Sequence, residues 1–204
     1  MSRVKVKLCG LQRPEDIEAA NEARPDCVGF VFAPGSRRAV TPETAKALRE
    51  QLAPGIRPVG VFVNQPLELV ARLLSQGIID CAQLHGREDE RYLTALREKT
   101  RGRPVIQAFR VETAEDVARA VASRADRILL DNGAGGTGER FDWTLLEGIR
   151  RPFFLAGGLT PENVAEALNR LRPYGVDTSS GVETEGRKDR EKMLRFVRAV
   201  REIG

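Results

Sequence analysis

Histidine occurs once and cysteine three times in these 204 residues, and that scarcity removes two classes of small protein at the outset. Cys9, Cys27 and Cys81 are odd in number, far apart and without a CxxC pair, so neither a disulfide framework nor a zinc cage is expected. Aromatic residues make up only 5% of the chain. No basic cluster interleaves with them, and without stacking platforms beside phosphate-binding charge a nucleic-acid partner is not expected. Nowhere do about 18 apolar residues run uninterrupted, the length a membrane-crossing helix needs. The opening MSRVKVKLCG alternates charged and apolar residues and lacks the apolar segment of a secretory signal. The sequence reads as soluble and cytoplasmic, with no membrane partner. Low-complexity tracts and interdomain linkers are missing too.

What is present suits one core. Hydrophobic residues are 41% of the chain, and a chain of this length is short for two independent domains, so one domain spanning 1–204 is expected. Lys and Arg number 33 against 29 Asp and Glu, a net +4, with the signs interspersed. That pattern is a solvated surface with a mild bias toward small anions. Short β-branched or apolar runs recur at 4–8, 27–32, 57–63, 79–84, 104–109, 127–131, 152–157 and 175–179, and helix candidates lie between them. Thr41-Pro42-Glu43 and Thr160-Pro161-Glu162 read as helix starts, a Thr cap before a Pro at the first helical position, and Arg13-Pro14-Glu15 and Gln65-Pro66-Leu67 resemble them. Eight strands leave about 25 residues per unit, near the minimum for a strand, a loop and a helix. A single closed (β/α)₈ TIM barrel without ornaments is expected. An open doubly wound sheet alternates in the same way, but no GxGxxG follows the first strand, and the Gly-rich loops fall late in the chain, where barrels hold phosphate.

In a barrel the residues that end the strands carry the chemistry. Period-two alternation puts Lys5, Lys7 and Cys9 on one face of the first strand and Val4, Val6 and Leu8 on the other. Cys9 would then project into the mouth with Lys7 behind it, close enough to favour a thiolate able to take a proton from carbon. A small buried cysteine is the alternative. The sixth strand ends in Asp131, where desolvation would raise the carboxyl's pKa toward that of a general acid; a loop hydrogen-bond acceptor is the alternative. Three glycine turns follow: Gly135-Gly136-Thr137-Gly138, Ala156-Gly157-Gly158-Leu159 and Asp177-Thr178-Ser179-Ser180-Gly181. The last two fall after strands seven and eight, where backbone amides commonly hold phosphate. Arg38, in the basic loop 33–38, is either a carboxylate clamp or a surface arginine. His85 ends strand four at the same rim, as a binding group or as a structural one.

Together these segments resemble the phosphoribosylanthranilate isomerase family along nearly the whole chain. The resemblance is carried by Lys7-Leu8-Cys9-Gly10, Gly29-Phe30-Val31-Phe32, Ser36-Arg37-Arg38, Gly60-Val61-Phe62-Val63-Asn64, Gln83-Leu84-His85-Gly86, Leu130-Asp131, Gly135-Gly136-Thr137-Gly138, Phe141-Asp142-Trp143, Ala156-Gly157-Gly158-Leu159 and the run from Asp177 to Glu183. It implies an Amadori rearrangement in tryptophan biosynthesis, converting N-(5-phosphoribosyl)anthranilate to 1-(o-carboxyphenylamino)-1-deoxyribulose 5-phosphate. By position it implies Cys9 as general base, Asp131 as general acid, and Arg38, His85 and Asp177 as substrate-binding groups. Gly157, Gly158, Ser179, Ser180 and Gly181 would bind the phosphate. The substrate nitrogen itself supplies the electron sink, so neither a metal nor an organic cofactor is implied. Two positions depart from the family pattern: Gln12 stands where Thr or Ser is usual, and Glu139 where a basic residue is usual. A related barrel isomerase of histidine biosynthesis would use two aspartates, and a non-enzymatic anion-binding barrel would have no need of Cys9 opposite Asp131. A homodimer is allowed, although no contiguous apolar surface stripe demands one.

Overall fold

Alternating β-branched runs bury both faces when they pair in parallel under a coat of helices. In the computed structural model, which describes residues 3–131 and 143–203, the eight runs do this. They form β1 (Lys5–Cys9), β2 (Cys27–Val31), β3 (Arg57–Phe62), β4 (Cys81–Leu84), β5 (Val105–Arg110), β6 (Arg127–Asp131), β7 (Phe153–Leu155) and β8 (Gly175–Thr178). Each strand pairs with the next in chain order. The β1–β8 ladder, Lys5 opposite Gly175 through Leu8 opposite Thr178, closes the barrel.

Helices α1 (Pro14–Ala23), α2 (Pro42–Arg49), α3 (Leu67–Ser75), α4 (Glu90–Thr100), α5 (Ala114–Ala122), α6 (Val164–Leu171) and α7 (Arg190–Ile203) surround the barrel. Between β6 and β7 the described residues hold a 3₁₀ turn, Trp143–Leu146, where a helix was expected. The glycine loop 132–141, with Glu139, lies outside the described residues. Thr41 caps α2 as expected, its hydroxyl accepting from the Thr44 amide at 3.1 Å. Thr160-Pro161-Glu162 instead forms a turn, and α6 begins only after Asn163. There Asn163 Oδ1 accepts from the Thr160 amide at 2.8 Å, Thr160 Oγ1 accepts from the Glu162 amide at 3.2 Å, and the Val164 amide donates to Thr160 O at 3.1 Å, so Thr160 caps the turn that leads into α6. A small hairpin not foreseen, β9 (Glu183–Thr184) with β10 (Arg187–Lys188), follows β8.

Val6 and Leu8 belong to the large apolar layer between wall and helices, as the alternation requires. Inside the barrel, Val59, Ile106, Ala108, Leu129, Phe154 and Ala156 pack together, and nearer the mouth Cys9 packs with Val31, Ala33 and Val61. Among the described residues no helix is long and apolar enough to cross a membrane.

Candidate active site

Parallel strands in a closed barrel send every strand end to one rim, so Cys9, the last residue of β1, and Asp131, the last of β6, share the same mouth. The Cys9 thiol points into the barrel. A Cβ built on Gly29, its register partner on β2, would lie 2.7 Å from Cys9 Sγ and 3.2 Å from Lys7 Nζ, so thiol and ammonium converge on one spot.

Lys7 is completely buried, and its ammonium donates to Asp177 Oδ1 at 2.9 Å. This pair lies directly across the β1–β8 closure, where Lys7 and Asp177 are register partners. Burial works against the Lys7 charge, but Asp177 and Cys9 together carry its pKa above the ordinary lysine range. The thiolate expectation needs correcting in consequence. Burial pushes the Cys9 thiol above its ordinary pKa, and Lys7, engaged by Asp177, offsets only part of that rise. Lys7 Nζ nonetheless stands beside Cys9 Sγ, a cation placed to balance a thiolate.

Asp131 keeps 25% of its side chain open to solvent. His85 Nε2 stands 3.7 Å from Asp131 Oδ2, while its Nδ1 lies 3.4 Å from the Gln83 amide nitrogen. Asp131 and His85 also lie near enough to Asp177 for their charges to act on it. Cys9, Lys7, Asp177, His85 and Asp131 thus form one electrostatic neighbourhood.

The two later glycine turns stand side by side. Thr178 Oγ1 donates to Leu159 O at 2.7 Å, and a Cβ on Gly181 would come within 1.8 Å of that same carbonyl, so only glycine lets the turns meet. Gly157 and Gly158 both have positive φ, 92° and 65°. Among the described residues, the backbone amides of Gly157, Gly158, Ser179, Ser180 and Gly181 donate to no other backbone carbonyl. Backbone amides left without such partners can hold an anion where they converge. Ser179 Oγ donates to Cys9 O at 3.0 Å and joins this turn to the end of β1.

Arg38 does not sit as a free surface arginine. Its stem passes over Gly10, where a Cβ would lie 2.5 Å from Arg38 Cδ, and its guanidinium is paired side-on with Glu183, Nε to Oε1 at 2.6 Å and Nη2 to Oε2 at 2.8 Å. Nη1 has no hydrogen-bond partner among the described residues and remains the edge open to a ligand. Glu183 and Lys188 were not singled out from the sequence. Glu183 closes the family motif that begins at Asp177, but no role was attached to it.

Cys27 and Cys81 lie at the other end. They line a cavity of about 990 Å³ at the N-terminal opening, with Lys5, Arg57, Arg127 and Tyr174. Burial pushes the Cys27 thiol up to about 11 and Cys81 to about 12, disfavouring the thiolate at both. Among the described residues no group of three or more His, Cys, Asp or Glu is placed to hold a metal ion.

A closed parallel eight-stranded barrel with Cys9, His85 and Asp131 together at its C-terminal rim belongs to the class of (β/α)₈ barrels. Within that class, a sequence profile described as N-(5'phosphoribosyl)anthranilate (PRA) isomerase matches residues 6–199. The N-(5'-phosphoribosyl)anthranilate isomerase of Endomicrobium trichonymphae is 45% identical over 203 residues, covering 98% of this chain and 99% of the relative. A solved phosphoribosylanthranilate isomerase in complex with reduced 1-(o-carboxyphenylamino)-1-deoxyribulose 5-phosphate has a TM-score of 0.87 at 37% identity, covering 98% of this chain and 99% of that one. Monomers of a dimeric phosphoribosylanthranilate isomerase from Thermotoga maritima give 0.84 at 36%, covering 97% and 98%. The chain belongs to the N-(5'-phosphoribosyl)anthranilate isomerase family and is an isomerase of that substrate.

Proposed function

We propose that the Amadori rearrangement runs on a proton pair, Asp131 giving and Cys9 taking. Asp131 protonates the furanose ring oxygen as the ring opens to an imine, which acidifies the neighbouring C2–H. Cys9, having given its thiol proton to solvent beside the Lys7 ammonium, removes the C2 proton and becomes the thiol again, and the resulting enolamine tautomerises to the ketose. Lys7 balances the thiolate while Asp177 holds Lys7 in place. The observation that carries this reading is the shared mouth: Cys9 and Asp131 end β1 and β6 on one rim, joined through Lys7, Asp177 and His85. The electron sink is the substrate's own nitrogen, so the step calls for no cofactor.

The reading places the substrate's phosphate on the amides of Gly157, Gly158, Ser179, Ser180 and Gly181. Its carboxylate meets Arg38, and its sugar hydroxyls lie toward Asp177 and His85. A solved family member binds reduced 1-(o-carboxyphenylamino)-1-deoxyribulose 5-phosphate, which carries the phosphate and the carboxylate that this orientation assigns to the two anion-binding groups. The dimeric family member from Thermotoga maritima supports a homodimer, which analytical ultracentrifugation checks. A highly charged sugar phosphate does not leave the cell unaided, which favours a cytoplasmic enzyme. Residues 1–204 are read as one domain, because α7 packs on α1 and β8 pairs with β1.

Following anthranilate fluorescence during conversion of phosphoribosylanthranilate tests the proton pair. Cys9→Ala and Asp131→Asn are each expected to keep the wild-type melting temperature and to lose about 10²- to 10⁴-fold in turnover, the usual worth of a positioned acid or base. Near wild-type turnover in either variant would remove that residue from the mechanism.

A further inference from the structure

We propose that Glu183 is a positioning residue that sets the Arg38 guanidinium for the substrate's aromatic carboxylate. This rests on the reading of Arg38 as the carboxylate-binding group. Glu183 has 5% of its side chain exposed and accepts four hydrogen bonds: Arg38 Nε and Lys188 Nζ on Oε1, at 2.6 and 2.7 Å, and Arg38 Nη2 and Arg37 Nη2 on Oε2, at 2.8 and 2.7 Å. Both oxygens are fully used.

The β9–β10 hairpin builds the arrangement. Glu183 and Lys188 are register partners, and the turn between them takes Glu185 and Gly186 through positive φ, 51° and 77°. Lys188, only 2% exposed, also donates to Ser179 O and Ser179 Oγ at 2.8 and 3.2 Å, so its three protons are committed and Glu183 cannot swing away with it. Arg38 is pinned from the other side, its stem lying over Gly10 next to Cys9. A long flexible arginine normally loses rotamer freedom when it meets a ligand. Here the side-on pair with Glu183 has removed that freedom before binding and presents the remaining Nη1 edge.

The sign of the effect separates positioning from bulk charge. Removing a carboxylate from beside an anion site strengthens anion binding if charge alone acts, whereas loss of positioning weakens it. Calorimetric titration uses two probes, reduced 1-(o-carboxyphenylamino)-1-deoxyribulose 5-phosphate and its counterpart lacking the carboxyl group. Glu183→Gln is expected to bind the carboxylated probe about tenfold more weakly and the carboxyl-free probe within about twofold of wild type, a change typical of losing one preset charged contact. In an Arg38→Ala background Glu183→Gln should add less than about twofold, because the two residues act as one unit. Glu183→Asp, which keeps the charge but shortens the reach, should fall between wild type and Glu183→Gln for the carboxylated probe alone, and serves if Glu183→Gln does not fold. Three results overturn the proposal. Unchanged or tighter binding of the carboxylated probe by Glu183→Gln, with Arg38→Ala still weakened, refutes positioning and leaves Arg38 its role. Equal loss for both probes makes Glu183 a general structural residue. Unchanged binding by Arg38→Ala removes the underlying reading and the proposal with it.

Discussion

The two ends of the barrel each gather three cations on one carboxylate, and they use the arrangement differently. At the N-terminal floor, Asp26 accepts from Arg3 and Lys5 on Oδ1 at 2.9 and 3.0 Å, and from Arg201 and the Val6 amide on Oδ2 at 2.7 and 2.9 Å. These partners come from the first residues, from β1 and from the last helix, so the cluster ties the chain's beginning to its end. At the mouth, Glu183 collects Arg37, Arg38 and Lys188, and through Lys188 and Ser179 the cluster reaches the Cys9 carbonyl. Both carboxyls are held well below their ordinary pKa by these donors in spite of burial. Local chemistry alone therefore does not say which cluster serves stability and which serves the reaction. Placement does: one ends on backbone at the N-terminal floor, the other at the C-terminal rim, on the groups proposed to meet the substrate.

The contrast can be broken most forcefully at the floor. Asp26→Ala strands the Val6 amide and leaves the Arg201 guanidinium only the Val4 carbonyl, and losing one partner of such a pair costs about 3 to 5 kcal/mol. Chemical denaturation should show that loss, with turnover per folded molecule unchanged. A fall in turnover without lost stability would erase the distinction between the two ends. A smaller effect sharpens it from the other side. Glu183 has a folded pKa of about 2 against an ordinary 4.5, so its ionised form adds stability in full above pH 4.5 and loses it as the pH falls toward 2. Wild type should accordingly exceed Glu183→Gln by up to about 3 kcal/mol near neutrality. The gap should close between pH 4.5 and 2. A gap independent of pH in that window would mean that the charge of Glu183 is not what the cluster uses.

Strand order and the inward face were legible in the sequence because period-two alternation and Gly or Pro punctuation act over a few residues. That locality is why Lys5, Lys7 and Cys9 could be assigned to the interior before any coordinates. The same locality hid the partner of Lys7. Asp177 lies 170 positions away and meets it only when β8 closes on β1. Reading Lys7 as Cys9's activator was therefore incomplete, since burial and Asp177 both bear on the thiol. Arg38 was visible as a basic loop residue, but Glu183 is 145 positions distant. Its hairpin has two-residue strands, too short to leave any periodicity. At Thr160-Pro161 the cap signal was legible and Thr160 does cap the turn there, but regular α-helix begins only at Val164.

The account stands or falls on which atom takes the C2 proton. Release of deuterium from C2-deuterated phosphoribosylanthranilate into water can be timed in a single turnover by wild type and by Cys9→Ala. The account predicts that release and ketose formation slow together in the variant, by at least about 10²-fold. Deuterium leaving at the wild-type rate without the Cys9 sulfur would contradict it.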